Sequence, residues 1–279
     1  MQDLTVALLQ SELQWHNPDA NRQHFSQQIA ALKQPVDLVV LPEMFTTGFT
    51  MDAAGQAEPN EPKNLNWLKG QAKKFDTAII GSIATNTDGN CTNRLYFVQP
   101  NGHFSTYDKR HLFAMAGEHN NYQAGSKRLI VEYKSWRICP LICYDLRFPV
   151  WSRNQPLSHH NEALNQNHKQ GQTDYDLLLY IANWPNKRRL HWRKLLQARA
   201  IENQSYCIGV NRIGIDGNGL EYAGDSMVCD SLGEIVADAT DKACALIHLL
   251  NAEHLQTTRS QLPFLQDADQ FIIHDEHTR

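Results

Sequence analysis

The chain has 279 residues, 42% of them hydrophobic and 20% charged, with a formal net charge of −4. That length admits one large domain or two ordinary ones and is enough for a sizeable core without disulfides or a structural metal. The slightly acidic balance argues against a general nucleic-acid binder.

The chain begins "MQDLTVALLQSEL", without the basic region of a signal peptide, and no apolar run approaches the ~18 residues that span a bilayer. The expectation is a soluble, cytoplasmic protein with no membrane partner. "LTVALLQ" (4–10) reads as the first strand. Asn17-Pro18 reads as cap and first residue of a helix whose apolar face carries Phe25, Ile29 and Leu32. "DLVVL" (37–41) is a second strand, followed by a helix over 61–74. The strands "TAIIGSIA" (77–84), "RLYFVQ" (94–99) and "HFSTYDK" (103–109) come next, the last two joined by the hairpin signal Asn101-Gly102. "RLIVEY" (128–133) and "RICPLIC" (137–143) precede a segment rich in Asn, Gln and His. "DLLLYIA" (176–182), a helix over 188–203, and the strands "YCIGVNR", "SMVCD", "GEIVAD" and "CALIHLL" complete the chain. Helices interleaved with strands, several continuously apolar, predict a layered α/β domain. No break in composition marks a second domain.

The polar segment (152–176) is poor in apolar residues, so it reads as a surface loop. His159, His160 and His168 within it match no metal-site spacing. The six cysteines, at 91, 139, 143, 207, 229 and 244, are scattered, four of them in strand-like surroundings, as reduced thiols are. Cys139 and Cys143 form a C-x3-C pair with no second pair to complete a zinc site.

Three strand ends carry complementary chemistry. "DLVVLPEMF" presents Glu43, "HFSTYDKRHLF" presents Lys109, and "RICPLICYDL" ends at Cys143. A carboxylate within reach of a thiol can act as its base, and an ammonium can favour the thiolate and stabilise an oxyanion. The backbone N–H of Tyr144 is a natural second donor. Each residue alone has an ordinary reading: a solvated acid, a surface lysine, a buried thiol.

In order, "LVVLPEMFTTGF", "YDKRHLF" and "LICYDLRFP" resemble the nitrilase superfamily of carbon–nitrogen hydrolases, over essentially the whole chain. The resemblance implies an α-β-β-α four-layer sandwich across 1–279. It implies a Glu43–Lys109–Cys143 triad and a covalent thioester formed without metal or cofactor. It also implies Glu118 as a second glutamate that orients the lysine or assists proton transfer; the plainer reading is a loop carboxylate paired with a nearby base.

"FAMAGEHNNYQAG", "CYDLRFPVW", "YIANWP" and "GDSMVCDSLGE" resemble the ω-amidases more narrowly. That implies hydrolysis of the terminal amide of 2-oxoglutaramate or a similar dicarboxylic monoamide to acid plus ammonia, and a homodimer or larger homo-oligomer. The departure is a polar insertion at about 154–172. For the substrate carboxylate, Arg147 is a candidate, with salt-bridging to Asp145 or another local acid the alternative. Trp184 is a candidate pocket wall, with core packing the alternative. The rival functions are another amidase specificity in the superfamily, such as deaminated glutathione or an N-carbamoyl amino acid, or a non-catalytic thiol protein for binding or redox response.

Overall fold

The computed structural model describes residues 1–59, 63–156, 173–269 and 271–273. The first half of the chain holds β1 (Leu4–Gln10), α1 (Pro18–Ala30), β2 (Leu38–Val40), α2 (Ala53–Gln56), α3 (Lys63–Phe75), β3 (Ala78–Thr87), β4 (Asn90–Val98) and β5 (Phe104–Asp108). Then come β6 (Val131–Tyr133), β7 (Trp136–Ile142), α4 (Pro149–Ser152), β8 (Leu177–Ala182), α5 (Arg189–Asn203) and β9 (Tyr206–Asn211). The last are β10 (Ile213–Ile215), β11 (Glu221–Ala223), β12 (Met227–Cys229), β13 (Ile235–Asp238), β14 (Cys244–Leu250) and α6 (Ala252–Gln261).

Two six-stranded mixed sheets result, ordered β14-β1-β2-β3-β4-β5 and β13-β12-β9-β8-β7-β6, with β10 and β11 paired separately. In the middle of each lies a parallel trio, β1–β2–β3 and β7–β8–β9. Antiparallel strands flank both.

Alternation along the strands sets the layers, because successive side chains leave opposite faces. Leu4, Val6, Leu38, Val40, Ile80, Leu95 and Phe97 share one buried cluster with the second sheet. Their neighbours Ala7, Leu9, Val39, Ile79 and Val98 pack instead against Phe25 and Ile29 of α1 and Leu65, Leu68 and Ala72 of α3. Every residue of β8 is buried, as its continuous apolar run predicts. Across β9 lies α5, which sends Trp192, Leu196 and Ala200 into the core. The α-β-β-α order implied by the resemblance is the one observed.

Where the elements differ from their sequence reading, local hydrogen bonding gives the reason. Asn17 Oδ1 accepts from the Ala20 N–H at 3.1 Å, so α1 starts as read. It ends at Ala30, and Leu32 packs on the core from just beyond. The helix read over 61–74 is α3, described from Lys63 and ending at Phe75, one residue later than read. Only Val131–Tyr133 of "RLIVEY" pairs as strand, because Arg128 turns away to the carbonyl of Arg153 and the carboxylate of Asp174. The pair β10–β11 escaped notice because each strand is three residues long.

The expected insertion at 154–172 also needs a new boundary. Asn154 is a buried hub: its N–H donates to Asn203 Oδ1 at 2.8 Å and its Nδ2 to the Tyr175 and Asn203 carbonyls at 3.0 Å. Asp174 N–H then donates to the Gln155 carbonyl at 2.9 Å, and Pro156 bridges Thr173. The body of the protein therefore continues to Pro156. The surface-loop reading of 152–176 fails at its ends, where Ser152, Asn154, Thr173 and Tyr175 are buried, and residues 157–172, with the three histidines, lie outside the described residues.

Gly209 lets α5 sit close to β9. A Cβ there would lie 2.4 Å from Leu196 Cδ1 and 2.6 Å from Trp192 Cζ2. The leucine can rotate; the indole cannot, since its Nε1 donates to the Asp225 carbonyl at 2.8 Å. Gly209→Ala should destabilise by about 1–3 kcal/mol, the usual scale of overpacking. A lowered urea midpoint at unchanged m-value is the expected result; an unchanged midpoint would mean the helix shifts freely.

Candidate active site

Lys109, Cys143 and Asn183 each directly follow the last residue of a strand, β5, β7 and β8, and Glu43 stands just past the end of β2, after Leu41 and Pro42. Loops at strand ends held by a rigid sheet are where chemistry concentrates. Lys109 lies in step with Tyr107, which joins the core between the sheets, and that alternation turns the lysine inward. Glu118 opens a short 3-10 turn, Glu118–Asn120, after Gly117. The structure brings Glu43, Lys109, Glu118 and Cys143 together, and the first three are fully buried.

Lys109 Nζ lies 2.8 Å from Glu43 Oε1 and 3.0 and 2.9 Å from the two oxygens of Glu118. Glu118 also accepts from the Phe113 N–H. Glu43 has further donors: Asn93 Nδ2 at 2.8 Å on Oε1, and the Asn183 N–H at 2.8 Å on Oε2. Asn183 Nδ2 donates to the Glu43 carbonyl at 2.6 Å. Cys143 Sγ donates to the Asn183 carbonyl across 3.9 Å.

Backbone strain marks both turns. Cys143 has φ +44° and Met44, next to Glu43, also has φ +44°. A left-handed conformation at a non-glycine residue costs on the order of 1–3 kcal/mol unless its surroundings impose it. At Met44 they do so through its N–H, which donates to Ser82 Oγ at 2.8 Å. At Cys143 the clasp is Asp145, whose buried carboxylate accepts from Ile142 N–H at 3.0 Å, Tyr107 Oη at 2.7 Å and His111 N–H at 3.0 Å. Asp145 thus ties the turn bearing Cys143 to the lysine loop. Tyr144, next along, stands in the first turn of the 3-10 segment Cys143–Arg147, where no earlier carbonyl of that segment is in reach of its N–H.

The charges compete around the thiol. Burial disfavours the Lys109 ammonium, but Glu118 and Glu43 outweigh it and hold its pKa above the usual value. Burial raises the Glu118 carboxyl, Lys109 opposes that, and Glu43 adds to it. The Cys143 thiol is pushed well up, by burial first, then by Glu43 against the pull of Lys109. Lysine was expected to favour thiolate. It does, but burial and Glu43 outweigh it, and the pKa of the thiol stands well above its usual value.

Cys143 and Lys109 open onto a cavity of about 370 Å³ walled by Phe49, Phe113, Tyr144, Trp184 and Tyr222. That is ample for a small molecule. Trp184 satisfies both of its readings, lining the cavity while packing 5.5 Å from Trp192. Arg147 also lines it, with its guanidinium 4.7 Å from the Trp184 centroid. The alternative pairing with Asp145 is not made, because the Asp145 carboxylate is taken up by Ile142, Tyr107 and His111.

Sequence reasoning passed over Asn93, Asn183 and Arg188. Asn93 had a signal: it shares a face of β4 with Leu95 and Phe97, so a polar group was bound for the inter-sheet core. Asn183 lay in the quoted "YIANWP" with nothing to distinguish it. Arg188 lay in a cationic run, "NKRR", that reads as a solvated helix start.

The chain matches the carbon-nitrogen hydrolase family over residues 5–260. It is 47% identical over 274 residues to Omega-amidase YafV of Yersinia enterocolitica, covering 98% of this chain and 100% of that one. It is 29% identical to the 2-oxoglutaramate amidase of Bacillus subtilis, covering 94% of this chain and 96% of the relative. Among solved structures it resembles XC1258 from Xanthomonas campestris, a CN-hydrolase superfamily protein with an arsenic adduct in its active site. There the TM-score is 0.93 at 41% identity, covering 98% of this chain and 100% of the other.

Lys109→Met would leave two buried carboxylates without their shared counter-charge, at a cost of about 3–5 kcal/mol. The Glu118 carboxyl, which burial raises against the pull of Lys109, would then be raised further. A group raised in this way contributes its full stability below the unfolded pKa and loses it as pH rises through the folded one. The gap in urea midpoint between variant and wild type should therefore widen as pH rises above the ordinary carboxylate range. A gap independent of pH would show that Lys109 does not neutralise the pair.

Proposed function

The chain belongs to the carbon–nitrogen hydrolase family, and from that membership we propose that it is an ω-amidase, releasing ammonia from the terminal amide of 2-oxoglutaramate and similar short dicarboxylic monoamides. The observation that carries this reading is the convergence of a buried carboxylate, ammonium and thiol on a cavity that also presents Arg147.

In the proposed mechanism Glu43 takes the thiol proton as Cys143 Sγ adds to the amide carbon. Because the resting sulfur is protonated, a base at that moment is essential. The oxyanion is met by Lys109 Nζ and the Tyr144 N–H. Glu43 passes its proton to the nitrogen, the carbon–nitrogen bond breaks, and a thioester and ammonia result. Water then gives a proton to Glu43 and adds to the thioester, and collapse returns the acid and the thiol. Glu118 is a positioning residue that holds Nζ. Arg147 receives the substrate carboxylate and Trp184 walls the pocket. Each proton and charge in this scheme is handled by the chain's own groups, so the reading includes no metal or cofactor.

The same reading makes the whole chain one catalytic domain, working in the cytoplasm as a homodimer or larger homo-oligomer without nucleic-acid or membrane partners. Among the described residues no helix is long and apolar enough to cross a membrane. Four of the six free cysteines are buried, which suits a reducing compartment. Exposed Leu190 and Ile201 on α5 supply apolar surface for a second copy, and light scattering on the eluted protein tests the assembly.

Ammonia release from 2-oxoglutaramate tests the activity. Cys143→Ala should abolish it with thermal unfolding nearly unchanged. Glu43→Gln should slow it by ~10²–10⁴ or more, the scale of a lost general base. Substantial turnover by Cys143→Ala would overturn the mechanism, and activity confined to deaminated glutathione or N-carbamoyl amino acids would overturn the substrate assignment.

A further inference from the structure

Arg188 and Arg189 are neighbours with opposite fates. Arg189 grips Asp225 through Nε at 2.5 Å and Nη2 at 2.8 Å, and Arg193 joins the same carboxylate at 2.9 Å. Arg188 lines the cavity instead, its guanidinium carbon 5.3 Å from the Phe113 centroid. Arg147 approaches from beyond Cys143, seated on Trp184, with His191 Nδ1 at 3.2 Å. Among the described residues no carboxylate pairs with Arg147 or Arg188. The indole of Trp184 donates to the Arg188 carbonyl at 2.8 Å, so the platform under one guanidinium is fixed to the residue bearing the other.

Two cations held this way repel. Burial lowers the Arg147 pKa first, and the charge of Arg188 lowers it further. An anion between them would relieve that repulsion. Asp216, the acid in the lining, is already occupied: Tyr222 Oη donates to Oδ2 at 2.8 Å, and the N–H groups of Asn218 and Leu220 donate to Oδ1 at 2.9 Å.

We infer that Arg188 is a specificity-determining residue that, with Arg147, forms a two-guanidinium clamp for the carboxylate and adjoining keto oxygen of a 2-oxo acid. The inference rests on the amidase reading above and narrows it to one substrate class. A guanidinium is a planar fork of donors that matches carboxylate geometry, and its charge persists at every working pH. One fork serves a carboxylate. A second has a partner when a third oxygen lies nearly in the same plane, as in an α-keto acid. The order of preference is then 2-oxoglutaramate, the monoamide of glutaric acid, and last n-valeramide, which has no charge.

The test is steady-state ammonia release from those three amides by wild type, Arg188→Met and Arg188→Lys. Arg188→Met should lower kcat/KM for 2-oxoglutaramate by about 10- to 100-fold, the worth of a charge-assisted contact, with the loss lying in KM. Its preference for 2-oxoglutaramate over n-valeramide should fall by about tenfold or more, and Arg188→Lys should recover part of it. Equal losses on all three amides, or no loss on any, would overturn the clamp while leaving the amidase reading intact. A wild type that prefers n-valeramide to 2-oxoglutaramate would overturn that reading and the clamp with it.

Discussion

An ammonium enclosed by two carboxylates, with none of the three reaching solvent, is the constraint around which this molecule is arranged. Taking such ions out of water costs several kcal/mol each, and attraction offsets that only when the remaining lone pairs are also satisfied. The donors come from widely separated parts of the chain. Asn93 lies within β4 of one sheet, and Asn183 follows β8 of the other. The Asn183 backbone N–H on Glu43 therefore joins the two sheets at their strand ends. Docking the sheets completes the shell around the charges, and the charges in turn fix how the sheets meet.

A second set of contacts holds the reactive turn. Cys143 sits in a left-handed conformation between Ile142 and Asp145, and the Asp145 carboxylate holds the Ile142 N–H. The same carboxylate reaches Tyr107 and His111 on either side of Lys109. Sulfur and ammonium are thereby placed by one buried acid that belongs to neither. The strain and the clasp that imposes it lie within three residues of each other.

Much of this was legible beforehand, and the reasons are specific. Continuous apolar runs such as "DLLLYIA" announce strands buried on both faces, and Asn17-Pro18 announces a helix start. Glu43 and Cys143 stand out because each comes at the end of an apolar run, and Lys109 because it ends a strand. What stayed hidden depends on contacts distant in sequence. Asp145 invited pairing with Arg147 two residues on, yet its partners lie more than thirty residues back as well as next door. The balance of charge at the thiol stayed hidden for a related reason. The sequence offers the lysine, but only the fold counts the carboxylates around it. Arg188 was lost in a basic run because nothing local distinguishes a guanidinium aimed at a cavity from one aimed at Asp225.

The protonated state of Cys143 bears on durability. Oxidants and alkylating reagents attack thiolate, and the ladder from sulfenic to sulfonic acid begins there. A sulfur held as thiol by burial and by Glu43 offers them little. Reactive cysteines kept permanently ionised are exposed to peroxide at every moment between turnovers. In the proposed mechanism the sulfur becomes vulnerable chiefly as its proton leaves, so chemical wear would follow use and not elapsed time.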